Sequence, residues 1–386
     1  MDNLWTYTSL VLVAWGTVNL LARNPRIAQL GIETHLLYIT YRTQRLNKLI
    51  REIAERKQFL LRVIGNLGVT LGVGLTLFTG YFLTANLIRL YNKSTIAVLL
   101  TPVLPGITIS LRETPYLLIS VAITLLLHEI SHAIFAWSEG IPIKNAGLFL
   151  AVLIPGAFVE IDDEKFSDAR DLSKLRVLSS GPIANLATAI VCIILLSNFL
   201  LVLSPLYKTD PSGILIVDIT GGGPAEKSGL TIGDVIYEVN GRKTETLAQF
   251  SMEMSKISPG DTVEMMTSIG RVRVKTVTGG ARAIIGVVLS EYYSPKMGFL
   301  ENRFGRQIPY HLLTVVFWTY SIGLSTAMFN MLPIYPFDGD QFLKVIAERI
   351  AGKRAAGIRR VCSAVFLGLM LANVMFSFIR IGLVTI

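Results

Sequence analysis

Leu125-Leu126-Leu127-His128-Glu129-Ile130-Ser131-His132-Ala133 sets two imidazoles and a carboxylate inside an apolar run that extends from about 115 to 137. The run is long enough to cross a hydrocarbon layer about 30 Å thick as a helix, which takes roughly 20 residues. On a helix, residues four apart share a face, so His128 and His132 can direct ring nitrogens at one divalent cation, with Glu129 beside a water on it. Ionisable groups are costly in such a span, and that cost favours a metal site over two hydrogen-bonded core histidines.

Similar apolar runs lie near 4–22, 59–90, 179–203, 310–332 and 361–384, giving a six-helix membrane domain. Composition agrees: 52% of the 386 residues are hydrophobic, 16% are charged and mean hydropathy is +0.54. Those values exclude an ordinary soluble globule and a disordered chain. The net charge of +9 reflects Lys and Arg at the ends of apolar runs, so it is read as membrane topology and not as nucleic-acid binding. Cys192 and Cys362 lie in apolar runs and read as core residues. The run from Trp5 to Leu21 lacks a basic leader and reads as a retained anchor. The 59–90 run exceeds one span and carries Gly65, Gly68, Gly72, Gly74 and Gly80, so it either tilts or packs closely on a neighbour.

Residues 23–57 are rich in Arg and Lys, which marks this loop as cytoplasmic and puts the N-terminus outside. The spacing of Leu46, Ile50 and Ile53 reads as a solvated charged face, with a helix on the anionic inner leaflet as the alternative. Counting spans then puts 138–178 inside, 204–309 outside and the basic segment from Lys344 to Arg360 inside. Two apolar stretches, 96–111 and 147–161, carry Pro105-Gly106 and Pro155-Gly156 at mid-length and read as hairpins turning at those pairs. Such backbone sits at membrane depth when protein covers it or it lines a wet cavity. From Pro115 to His128 is about 20 Å of helix, which leaves the metal about 10 Å from the cytoplasmic face.

A catalytic zinc wants three protein ligands and an open position. His35 and His311 lie at the wrong depth, so the third ligand is expected to be a carboxylate. Asp338 is the leading choice, in Asn330-Met331-Leu332-Pro333-Ile334-Tyr335-Pro336-Phe337-Asp338-Gly339-Asp340, where two prolines break the fifth span. Asp340 is the rival ligand, or an N-cap for the helix that follows. Two histidines and a carboxylate also suit other divalent metals.

Together these residues resemble the site-2 protease family of intramembrane zinc metalloproteases. Pro155-Gly156-Ala157-Phe158-Val159 resembles the family's apolar hairpin, and Gly181-Pro182-Ile183-Ala184-Asn185 its Gly-Pro-x-x-Asn helix start. The resemblance spans about 100–345 and departs at Phe337, where the family often has Leu. It implies that His128, His132 and Asp338 hold one zinc, that Glu129 activates its water, and that Asn185 and Asn330 hydrogen-bond the substrate backbone or the oxyanion. Helix-joining Asn side chains are the alternative for the last two. The expected partners are transmembrane protein substrates, an upstream site-1-type protease and the lipid bilayer, with no nucleic acid. A silent membrane scaffold and a transporter are the competing classes.

Residues 204–309 break the apolar pattern with β-branched runs at Gly213–Ile219, Val235–Val239 and Val272–Val277. The stretch from Gly223 to Gly241 resembles a PDZ domain of the bacterial protease type, with Ser212, Gly213 and Ile214 as its peptide-binding loop and a rigid lid as the alternative. The expected whole is a polytopic α-helical membrane protein with short membrane-embedded β-hairpins and an inserted β-rich PDZ-like domain. It divides as 1–95 (N-terminal spans and basic loop), 96–204 (first part of the protease core), 205–295 (extracytoplasmic insert) and 296–386 (second part of the core and last span).

Overall fold

The computed structural model describes residues 31–381 apart from 36, 37, 43, 152, 153 and 281, together with scattered positions between 9 and 20. The expected span 4–22 lies largely outside the described residues. Among these, five helical stretches are long and apolar enough to cross a membrane: Gln58–Tyr91, Leu111–Ser138, Asp171–Ser197, Ile308–Asn330 and Asp338–Ile381. The chain is a polytopic α-helical membrane protein with an inserted β-rich domain. It divides into two compact units, Met1–Ile193 with Phe317–Ile386, and Ile194–Val316.

The principal helices are α1 (Gln44–Arg56), α2 (Gln58–Tyr91), α3 (Thr114–Ser138), α4 (Asp171–Ser197), α5 (Leu247–Met254), α6 (Ile308–Asn330), α7 (Asp338–Ala351) and α8 (Ala355–Ile381). In the first unit, α2 approaches its neighbours through glycine. A methyl group at Gly65 would stand 3.0 Å from the Arg176 side chain of α4, and one at Gly72 would stand 3.1 Å from Met331. Close packing through small residues therefore accounts for much of the long α2 run. Helix α1 buries Ile50 and Ala54, four residues apart, against the α3 side of the unit. Of the three residues that set that spacing, Ile50 is buried by this packing while Ile53 stays exposed.

A four-stranded antiparallel sheet lies beside α3, in the order β1 (Ile32–Thr34), β2 (Tyr38–Arg42), β3 (Ile143–Ala151), β4 (Ile154–Ile161). The expected second hairpin is present, but Pro155 and Gly156 pair within β4, opposite Leu150 and Phe149, instead of turning the chain. The other two strands come from the segment read as a basic loop, with Tyr38 opposite Ala151 and Thr40 opposite Phe149. The expected hairpin at 96–111 is not formed. Its Pro105-Gly106 pair makes a tight turn, with Ile107 N–H donating to Leu104 O at 3.0 Å. The preceding residues run extended along α2 and α8. There Val98 N–H donates to Asn86 Oδ1 and Asn86 Nδ2 donates to Val98 O, both at 2.8 Å, and Leu100 N–H donates to Ser377 Oγ at 2.9 Å. Side chains of two helices satisfy backbone that a partner strand would otherwise satisfy.

The second unit holds a six-stranded sheet in the order β9 (Val287–Glu291), β5 (Ile214–Ile219), β6 (Val235–Val239), β7 (Thr262–Thr267), β8 (Gly270–Lys275), with Arg242–Lys243 also paired to β6. Its core is β-branched and apolar, including Ile214, Ile216, Ile236, Val263 and Val274. Asn240-Gly241 takes positive φ at both residues, as a two-residue type I′ hairpin turn requires.

A buried ion pair ties the first unit at the charged ends of its spans. Arg176 Nη1 donates to Glu139 Oε1 at 2.7 Å, Ser173 Oγ donates to Glu139 Oε2 at 2.5 Å, and Arg176 reaches Asn66 Oδ1 on α2. Side-chain exposure is only 12% for Arg176 and 7% for Glu139, so removing the carboxylate strands a desolvated cation. Glu139→Ala is expected to cost about 3–5 kcal/mol, read as a lowered unfolding midpoint of the full chain in detergent; an unchanged midpoint would contradict this.

Candidate metal centre

His128 and His132 are buried on one face of α3, and their Nε2 atoms lie 3.1 Å apart. Asp338 Oδ2 lies 3.2 Å from the first and 3.4 Å from the second. Three atoms that can each offer a lone pair thus converge on one point. A tetrahedral ion with ligands about 2.0–2.1 Å away separates those ligands by about 3.3 Å. The donor set and its spacing fit a small divalent cation, and among the described residues this is the group that could hold one.

Asp338 reaches the imidazoles because α6 stops at Asn330. Residues 331–337, with Pro333 and Pro336, form an irregular crossing before α7 begins at Asp338. Thr76 on α2 holds that crossing by donating to Met331 O at 2.8 Å. Gly339 faces the backbone of Met331 and Leu332 so closely that a Cβ would overlap it. Asp340, the rival ligand, points elsewhere: its buried carboxylate takes two hydrogen bonds from Arg359 on α8, one from Nε at 2.6 Å.

The surroundings fix the ring tautomers. His132 Nδ1 donates to Val177 O at 2.8 Å, which leaves the lone pair on Nε2, facing the other ligands. His128 Nδ1 lies 3.1 Å from the amide of buried Asn185. The two ends of that amide exchange by a half-turn. With Nδ2 toward the ring, Oδ1 is buried without a partner; with Oδ1 toward the ring, His128 donates from Nδ1 and keeps its lone pair on Nε2. Asn185 therefore stands behind His128, on the ring edge away from the Nε2 cluster. The amide end that faces the ring also lies 3.0 Å from Thr326 Oγ1 on α6, so Asn185 joins helices as well. Asn330 ends α6, half-buried, eight residues before Asp338.

Gly181 on α4 is the residue whose role the sequence did not disclose. A Cβ there would fall on His132 Nε2 and lie 2.6 and 2.7 Å from His128 Cε1 and Nε2. Glycine lets α4 close over both rings, and the signal for it was present in the Gly-Pro pair.

Glu129 is half-buried next to the triad, with the Val159 backbone N–H of β4 facing its carboxylate. A cavity of about 390 Å³ joins the ligands and Glu129 to Val159, Glu160, Phe166 and Gln341. β4 is the terminal strand of its sheet, so one edge remains unpaired beside this cavity. His35 stacks on Tyr38 and takes no part.

In the second unit the expected peptide loop is corrected. Ser212, Gly213 and Ile214 lead into β5, which pairs with β9 on one edge and β6 on the other, so no edge is free for an added strand. The free edge belongs to β9. Between β9 and α5 lies a groove of about 710 Å³ whose lining includes Ser251, Met252, Ile284, Ile285 and Leu289.

The fold and centre define a polytopic membrane protein with a His-His-Asp cluster that could hold a metal ion and a Glu next to it. Residues 116–373, more than half of the chain, match Peptidase family M50, and the chain belongs to that family. An uncharacterized protein of Methanocaldococcus jannaschii is 28% identical over 63% of this chain and 60% of its own length. The membrane-bound transcription factor site-2 protease homolog of Arabidopsis thaliana is 28% identical over 59% of this chain and 46% of its own. The chain thus spans under two thirds of the length of these relatives. The PDZ domain of an SdrC-like protein from Listeria monocytogenes, 23% identical, covers 20% of this chain and 87% of its own, with a TM-score of 0.19.

Gly181→Ala is expected to drive the two rings apart and lower bound metal well below one per chain, measured by elemental analysis of purified protein. Gly74→Ala, where a Cβ meets open space, is the matched control and is expected to retain metal. Equal metal content in both would contradict the packing argument.

Proposed function

We propose that this chain is an intramembrane zinc metalloendopeptidase that hydrolyses peptide bonds within transmembrane segments of membrane proteins already trimmed by a first, site-1-type protease. The observation that carries the reading is the convergence of His128, His132 and Asp338 beside Glu129, inside a helix long and apolar enough to cross a membrane. Zinc, when bound there, supplies a Lewis acid and lowers the pKa of its water to about 7. Glu129 takes the proton from the attacking water on its carboxylate and returns it to the leaving amine. Asn185 and Val177 keep the two imidazoles in the tautomer that leaves Nε2 free. Phe166, Val177 and Leu178 give the cavity apolar walls suited to an unwound transmembrane segment.

Peptide bonds in a membrane helix are shielded by their own hydrogen bonds, so the substrate must extend locally. The unpaired edge of β4 supports its capture by strand addition, one strand spacing from Glu129. The basic loops support an active site nearer the cytoplasmic face and an extracytoplasmic second unit. In that unit, the groove between β9 and α5 supports docking of a trimmed substrate's C-terminus.

Glu129→Gln keeps the ligands and removes the base. Cleavage of a membrane-spanning model peptide by the full chain is expected to fall about 10²–10⁴-fold with metal content unchanged. Equal cleavage in both proteins would overturn the role of Glu129, and no cleavage by either would favour the silent scaffold.

A further inference from the structure

A second built cavity lies in the first unit, apart from the metal. It measures about 540 Å³ and is walled by Arg42 of β2, Lys48 and Arg51 of α1, Lys144 and Asn145 of β3, and Trp137 of α3. The size falls within the range of about 300–1,000 Å³ typical of small-molecule sites. Four cations face it. Arg42 is paired with Glu33 at 2.9 Å and Arg51 with Glu55 at 2.7 Å, whereas Lys48 and Lys144 have no ion-pair partner among the described residues. Asn145 is turned toward Glu160, to which it donates at 2.8 Å, so that carboxylate is engaged. Four cations and no carboxylate line the pocket.

Trp137 gives the pocket an aromatic wall. The Arg51 guanidinium lies 5.6 Å from the centre of the indole ring, and the buried indole Nε1–H has no hydrogen-bond partner. Trp137 is the penultimate residue of α3, where the span ends and where Trp and basic residues meet a membrane's headgroup layer. Beside the lysines, α1 leaves Leu49 and Ile53 exposed, at 54% and 39%, although Ile50 and Ala54 of the same helix are buried. Cations around a pocket with uncovered apolar side chains next to them match a ligand that has a phosphate and hydrocarbon chains.

We propose that this pocket binds the phosphate headgroup of an anionic lipid. Lys48 and Lys144 supply the charge, Trp137 and Arg51 the wall, and Leu49 and Ile53 the surface along which the acyl chains lie. The site fixes α1 and the β2–β3 part of the sheet to the membrane boundary, and it does not depend on the proteolytic reading.

The test uses the full chain in a neutral detergent, titrated with dioctanoyl phosphatidylglycerol, dioctanoyl phosphatidylcholine or inorganic phosphate at constant ionic strength, with tryptophan emission as the readout. Phosphatidylglycerol is expected to give a saturable change that disappears in Trp137→Phe. Lys48→Gln/Lys144→Gln is expected to weaken it on the order of tenfold or more, while Lys208→Gln/Lys296→Gln, the same charge change in the other unit, leaves it unaltered. Equal unfolding midpoints without lipid establish that the variants are folded. Saturation by inorganic phosphate alone would overturn the lipid assignment in favour of a soluble phosphate. Equal responses to the two lipids, or an unchanged affinity in Lys48→Gln/Lys144→Gln, would overturn the headgroup site itself.

Discussion

Three lone-pair atoms, two from imidazoles and one from a carboxylate, are brought within 3.1–3.4 Å of one another beside an apolar helix. With both imidazoles neutral, that arrangement turns three acceptors toward one another, and a divalent cation is the group that relieves it. Much of the first unit is arranged to make the convergence possible. Helix α3 sets the histidines four residues apart, the proline-broken crossing delivers Asp338, and α4 presents a glycine to both rings and a carbonyl to one of them. Thr76 of α2 holds the crossing from its other side. A change in any of these moves a ligand by more than the few tenths of an ångström that a metal site accepts.

The same constraint explains why Asp338 and Asp340, two residues apart and both acidic, have different roles. At the start of α7 they point in different directions. One faces α3 and the histidines, whereas the other faces α8, where Arg359 neutralises it. Spacing alone left both available, and what separates them is a cation nineteen residues further on. The Asp340–Arg359 pair also anchors the first turn of α7, which keeps Asp338 from drifting out of reach.

Local pattern made the helices and the site's core legible. The four-residue spacing of His128 and His132, the prolines after Asn330 and the alternation in the insert each need only a short window of sequence to read. The misreadings share a cause. β2 lies alongside β3, more than a hundred residues away in sequence, and pairing at that separation leaves no local periodicity. Pro155-Gly156 resembles a turn, yet both residues fit β4, where Phe149 covers Gly156. The Ser212–Ile214 loop looked suited to receive a peptide because the order of strands in the sheet, which closes both edges of β5, cannot be read along the chain. Asn185 was read as a donor to substrate because its partner, the far nitrogen of His128, became visible only in three dimensions.

The two extended segments of the first unit meet one requirement in different ways. Backbone polar groups close to hydrocarbon need partners. The segment around Val98 receives them from Asn86 and Ser377, side chains rigidly placed on α2 and α8, and nothing further is asked of it. β3 receives them on both edges, from β2 and β4. β4 is paired on one edge, and along the other the Val159 N–H meets Glu129 while the rest borders the cavity of the metal centre. A strand edge left open next to apolar surface is an energetic liability unless water or another chain fills it. An extended peptide would satisfy such an edge, and this one borders the cavity that Glu129, His128, His132 and Asp338 line.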